Sequence, residues 1–323
     1  RACPADIPIP DLIVLMRRHL ALETGEFPEG LAGALENTAS VGNPWGMDPG
    51  SRLAWAKDLD VPVAKPGVAY DVLYWVGCSA SYDRRAQKIA RAMVKILKAA
   101  GIHFAVMQEE RCHGDFARRA GEEYLFQTAA AENIENLRKY QFKELVAACP
   151  HCFNTLKNEY PQFEGGTFNC VSHTVLIDRL ITEGRIKVSK SQFFTVMHDP
   201  CYLARMNGIT AEPRRVLETL GAHLREAKHS KADTLCCGAG GAQIFMDRPA
   251  RINVIRLKEL KDTKSEVVAS ACPHCLTMLT SAQAQQKEGA KDEVLFLDVA
   301  EIVAQQLESA AAEETSGSQR HGS

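Results

Sequence analysis

Eleven cysteines punctuate a chain of 323 residues, at positions 3, 78, 112, 149, 152, 170, 201, 236, 237, 272 and 275. An odd number cannot all pair as disulfides, and a chain this long can bury a core without covalent staples, so metal or redox chemistry is the leading use. Their spacing is regular. Cys78 and Cys201 lie 123 residues apart, as do Cys149 and Cys272 and again Cys152 and Cys275, while Cys112 and Cys236 lie 124 apart. The flanking text repeats as well: AACPHC at 147–152 returns as SACPHC at 270–275, and Cys112-His113-Gly114 falls opposite Cys236-Cys237-Gly238. Four matched offsets make the chain an internal duplication.

Each copy offers a cysteine after an apolar run (Cys78, Cys201), another in a glycine-containing turn, and a Cys-Pro-His-Cys pair. A C-x-x-C at a loop–helix junction puts one thiol in the loop and the other on the first helical turn, where the positive helix N-terminus favours thiolate. Thiolates are what soft metals and iron–sulfur clusters require. Other readings compete. Cys-Pro-His-Cys also suits a thiol–disulfide oxidoreductase, but two copies, each tied to two distant cysteines, argue against it. Structural zinc takes four ligands; repeat 2 supplies five cysteines, one too many, whereas the four of repeat 1 leave zinc open. Plain buried thiols would not generate duplicated spacing.

Elements that could position these residues follow from the apolar pattern. Short β-branched and aromatic runs at 70–77, 103–107, 142–149, 193–201 and 265–272 read as buried strands, and Arg84–Ala99 reads as a helix. Their alternation predicts an α/β fold of two pseudo-symmetric domains with small parallel sheets, at 69–190 and 191–307. The strand ends of such a sheet share one edge, so cysteines distant in sequence can converge there. Ahead of the domains, Leu12, Leu15 and Met16 recur at helical spacing within residues 1–25, and residues 26–68, rich in Gly, Pro and Asn, read as a linker or wrapping arm. Residues 308–323 read as a disordered tail.

Composition narrows the class. Apolar residues make up 46% and charged residues 24%, with 38 basic against 40 acidic side chains, an ordinary soluble balance without the field of a nucleic-acid binder. The chain opens on Arg1 with no signal-peptide pattern, and no apolar run approaches the roughly 20 residues of a membrane span. A cytoplasmic chain lacking its N-terminal part is expected, with membrane association on the cytoplasmic face through that missing part or a partner.

The repeat 2 pattern C-x34-CC-x34-C-x2-C, with Gly238 after the double cysteine, resembles the cysteine-rich "CCG" domain of heterodisulfide reductase catalytic subunits. Relatives of that family include iron–sulfur subunits of glycolate and lactate oxidation systems and electron-transfer-flavoprotein:quinone oxidoreductases. The resemblance covers residues 70–305 and implies that Cys201, Cys236, Cys237, Cys272 and Cys275 hold a noncubane [4Fe-4S] cluster. Repeat 1 departs from it: Cys78, Cys112, Cys149 and Cys152 lack the fifth thiol. There a second iron–sulfur or zinc site is expected, with His113 either a further ligand, as histidine is in Rieske centres, or a residue that fills the turn. Family members carry a ferredoxin module directly before the duplicated domain. Cys3-Pro4 resembles its last cysteine and proline, so residues 1–25 are expected to be the remnant of that module, with Cys3 a ligand of its cubane [4Fe-4S] cluster.

The resulting expectation is an iron–sulfur electron-transfer subunit or domain of an oxidoreductase, taking electrons from a flavoprotein or other redox subunit and passing them to a quinone, through a membrane subunit, or to a disulfide. A heterodisulfide reductase-type catalytic subunit, cleaving a disulfide at the noncubane cluster, and a zinc-stabilised non-redox module are the alternatives. Cys170 has no counterpart in repeat 2 and reads as a core thiol. His198-Asp199-Pro200 either donates hydrogen bonds to cluster sulfurs or caps a turn. The Gly238-Ala239-Gly240-Gly241 run lets backbone approach a cluster and lacks a nucleotide-binding context. Arg111, Arg118 and Arg119 read as a solvated face or an anion-binding patch.

Overall fold

The computed structural model describes residues 5, 7–25, 27–246, 252–285 and 293–307. Cys3, and with it the ferredoxin-type ligand expected there, lies outside the described residues, as does the segment 308–323.

Two four-stranded sheets carry the fold. The first contains β1 (Ala69–Trp75), β2 (Phe104–Val106), β3 (Gln141–Ala147) and β4 (Cys170–Ser172) in the order β2-β1-β3-β4. The second contains β5 (Phe193–His198), β6 (Ala222–Arg225), β7 (Val267–Ser270) and β8 (Leu295–Asp298) in the equivalent order β6-β5-β7-β8. All the pairings are parallel, and the register repeats with the sequence: Leu73 faces Leu145 in the first sheet, and Val196 faces Val268 in the second. Parallel strands are covered by helices on both faces, which is why Val72 to Trp75 are all buried and read as an unbroken apolar run. The chain therefore builds two pseudo-symmetric α/β units.

Arg84–Ala99 is helical as expected; the Asp83 carboxylate caps it by accepting the Ala86 N–H at 2.7 Å, and Ile89, Met93, Ile96 and Leu97 line its buried face. Strands β4, β6 and β8 were not expected. They are three or four residues long, too short for period-two alternation to show.

The segment 26–68 is more ordered than a linker. It contains the helix Glu29–Val41, and Pro62 and Ala64 pair with the backbone of Val106, extending the first sheet past β2. Arg52 from this arm is inserted beside β2's exit and donates to Glu110 at 2.7 Å. The first helix, Ile9–Thr24, confirms the spacing of Leu12, Leu15 and Met16, although these side chains are exposed. Polar contacts fix this helix: Arg17 donates to the carbonyls of Arg119 and Gly241, and Arg18 pairs with Glu123.

The two units meet through specific pairs. Arg85 clamps Glu301 with bonds of 2.9 and 2.8 Å, and His173 Nε2 meets Asp298 Oδ1 at 3.1 Å with both side chains buried.

Candidate metal centre

In the first repeat, β1 ends at Trp75 and the chain turns through Gly77, at φ +78°, into the short helix that carries Cys78. A Cβ at Gly77 would lie 3.1 Å from Cys152 Sγ, so glycine makes room for that thiol. Glu110 accepts the N–H groups of Val76 and Gly77 at 2.9 and 2.7 Å, and Arg52 neutralises it. Cys112 follows β2, its N–H donated to the Gly42 carbonyl of the arm. Cys149 is the N-cap of a helix that starts at Pro150, which places Cys152 in the first turn.

Repeat 2 reuses the design. Cys201 opens the helix Cys201–Asn207, Cys236 and Cys237 lie in the loop after β6, and Cys272 caps the helix Pro273–Ala284 with Cys275 in its first turn. Gly114 and Gly238 occupy equivalent places after the glycine-turn cysteines, at φ +83° and +89°. In that left-handed region the Gly238 N–H turns back onto Cys236 Sγ at 3.2 Å, a geometry a side chain would strain.

The thiols form a connected set. Cys78 contacts Cys112, Cys149 contacts Cys152, and Cys201, Cys236, Cys237, Cys275 and Cys272 follow in a chain of neighbours. Cys149 and Cys272, equivalent residues of the two repeats, meet each other and join the two groups. Cys236 is held down to about 2, first by hydrogen bonding to Cys201 and then to Cys237. The same bond pushes Cys237 up to about 12, and burial drives Cys152 and Cys272 well above the ordinary thiol value. A buried thiol that resists ionisation gives up its proton when a cation takes its place. All ten described cysteines are free thiols.

The donor set fits a soft metal group. His198, Cys237 and Cys275 are buried and bring their ligating atoms within 4.8 Å of one another, and among the described residues His198 Nε2 has no hydrogen-bond partner. Nδ1 of His198 accepts from Arg256 Nε at 3.0 Å, and burial followed by the Arg256 charge pulls the imidazole down to about 3. His113 is also buried, its Nδ1 accepting the Asp115 N–H at 3.3 Å, and burial lowers it to about 4. The neutral His113 ring therefore carries its proton on Nε2 and presents a donor there.

Several residues at this junction carry no sequence signal of their own. Asp115 meets His151 Nδ1 at 2.9 Å and accepts from Tyr202 and Arg119 at 3.1 Å each. Tyr202, from repeat 2, stacks on the His151 ring with centroids 4.0 Å apart, and His274 meets the same ring edge-on at 5.3 Å. Burial opposes both charges; against it the Asp115 carboxyl lies far below its ordinary value, and the Asp115 bond raises the His151 imidazole above its own. Tyr202 could have been suspected only from its place beside Cys201.

The arginines depart from expectation. Arg118 and Arg119 side chains are 17% exposed and are spent on Glu159, Glu123 and Asp115, and Arg111 pairs with Glu132. Arg118 and Arg119 form neither a solvated face nor a free anion patch, because their partners and the Ile9–Thr24 helix pack around them, whereas Arg111 stays one-third exposed. Cys170 lies on β4, half-buried against the core, with burial pushing it up to about 12.

A cysteine-rich CCG domain matches twice, at residues 72–157 and 195–280. The chain belongs to the CCG cysteine-rich domain family. Both CCG matches begin inside the first strand of a sheet and end beyond the C-x-x-C. Among relatives, a "probable membrane-anchored ferredoxin" of Chromohalobacter salexigens is 40% identical, covering 95% of this chain and 46% of its own length. An "EtfAB:quinone oxidoreductase" of Syntrophomonas wolfei is 34% identical over 95% of this chain and 45% of its own length. One subunit of the dihydromethanophenazine:CoB–CoM heterodisulfide reductase of Methanosarcina barkeri is 31% identical over 94% of this chain and 75% of its own length. The chain thus spans about half the length of the first two. Among the described residues no helix is long and apolar enough to cross a membrane.

Proposed function

We propose that this chain is the electron-carrying, two-site iron–sulfur part of an oxidoreductase. The observation that carries the reading is the meeting of Cys149 and Cys272, which puts two sets of thiols at the facing edges of two parallel sheets. Cys201, Cys236, Cys237, Cys272 and Cys275 would hold a noncubane [4Fe-4S] cluster, and Cys78, Cys112, Cys149 and Cys152 a second iron–sulfur site. Bound there, the clusters supply one-electron redox chemistry. The protein's own part is to exclude water, fix the thiols on helix N-termini and loop turns, and hold the two sites adjacent. Electrons would enter from a flavoprotein and leave toward a quinone or a disulfide; the names of the relatives support both acceptors.

Anaerobic reconstitution, iron and labile-sulfide analysis and EPR test the proposal. Two clusters per chain are expected; a protein that binds zinc and no labile sulfide overturns it.

A further inference from the structure

His198 ends β5, is 1% exposed, and lies against Cys237 and Cys275. Its two ring nitrogens can be told apart. Arginine has only donors, so the contact from Arg256 Nε at 3.0 Å makes Nδ1 an acceptor and leaves the proton of the neutral ring on Nε2. Arg256 cannot swing away: its Nη1 donates to the His229 carbonyl at 2.9 Å, Glu259 pairs with it at 3.2 Å, and the side chain is fully buried. Nε2 is then an N–H donor in a buried site with no partner among the described residues. Buried polar groups of this kind demand an acceptor. Ligation by Nε2 would need the proton on Nδ1, facing the guanidinium N–H, and is excluded by the same contact.

We propose that His198 is a hydrogen-bond donor to a sulfur of the group held by the repeat 2 cysteines, fixed in that tautomer by Arg256, and that it raises the reduction potential of that group. The inference rests on the iron–sulfur reading and deepens it. A donor to a cluster sulfur stabilises the more negative, reduced state. The position has a counterpart. Trp75 ends β1 in the equivalent register, 123 residues earlier, and its indole Nε1 is likewise buried without a partner among the described residues. Each repeat thus ends its first strand on a ring that carries an unsatisfied N–H.

The test uses the full chain labelled with ¹⁵N-histidine. In the cluster-free protein, two-bond ¹H–¹⁵N correlation should show His198 protonated on Nε2, its signals assigned by their loss in His198→Gln; protonation on Nδ1 overturns the inference whatever metal the site takes. In the reconstituted protein, pulsed EPR should show a weak ¹⁵N coupling that disappears in His198→Phe. A strong coupling typical of direct ligation, or none, overturns it. The midpoint potential should fall in His198→Phe and be largely kept in His198→Gln, at equal iron and sulfide content; an unchanged potential in His198→Phe also overturns it. Zinc without sulfide would instead end the iron–sulfur reading and leave the tautomer result standing.

Discussion

Replacing Arg52 by Met tests how the N-terminal arm builds the site. The Arg52 guanidinium is 2% exposed and donates to Glu110, which in turn accepts the Val76 and Gly77 N–H groups in the turn that delivers Cys78. Arg52→Met keeps most of the apolar stem and removes the charge, leaving Glu110 buried with two backbone donors. Removing one partner of a buried ion pair costs about 3–5 kcal/mol, and the two remaining charge-assisted bonds put the loss near the lower end, about 3 kcal/mol. The three tryptophans sit at 45, 55 and 75, so tryptophan fluorescence during urea denaturation follows the first unit. With a slope of about 1–3 kcal/mol/M, the midpoint should drop by about 1–3 M. Arg52→Met combined with Glu110→Gln removes the stranded charge and should be more stable than Arg52→Met alone. An unchanged midpoint for Arg52→Met, or a double variant less stable than the single, refutes the reasoning.

Three further outcomes can be measured. Cys237→Ser should lower iron content and change the EPR signal of repeat 2 while the repeat 1 signal persists; loss of both signals together would contradict separate sites. Gly114→Ala and Gly238→Ala should each cost about 1–2 kcal/mol for the left-handed backbone, and Gly114→Ala more, because its Cβ would lie 3.1 Å from Phe126 against 3.4 Å from Ile252 at Gly238; urea midpoints decide the order. Burial raises the Glu301 carboxyl above its ordinary 4.5, so the stability it contributes is full below that pH and is lost as pH rises through the raised value. Arg85→Met removes the counter-cation and raises it further, so the variant's stability deficit should widen from pH 4.5 toward neutrality, and a deficit of constant size would count against this.

Much of this architecture was legible because duplication writes itself twice. The register of Leu73 with Leu145 and of Val196 with Val268 is the structural form of the cysteine offsets. Elements that the sequence hid had physical reasons to hide. Strand β6, Ala222–Arg225, is half polar and short, and it is held by pairing with β5 instead of by its own pattern. Residues 26–68 read as a linker or wrapping arm because Gly, Pro and Asn punctuate them; their helix and their pairing with Val106 depend on the first sheet being there to receive them. Arg118 and Arg119 look solvated on their own helix, and only the tertiary fold shows Glu159 and Tyr202 opposite them. Side-chain pairs that cross between the repeats, such as Asp115 with Tyr202, have no periodicity to read.

The one position where the repeats differ most in chemistry also differs most in purpose. In repeat 2, Cys237 is buried with Ala239, Cys272 and Cys275 and offers a fifth thiol. In repeat 1 the same place is His113, whose ring accepts the Asp115 N–H, and the Asp115 carboxylate reaches on to His151 and to Tyr202 of the other unit. In the first copy that position anchors the polar bridge between the two units. On the proposed reading this leaves two adjacent sites with unequal ligand sets, five thiolates against four, and the His198 N–H beside the second. Ligand number and hydrogen bonding to sulfur are what set cluster potentials. On that reading, two identical sites would share one intrinsic potential, and the missing thiol of repeat 1 makes the two potentials unequal.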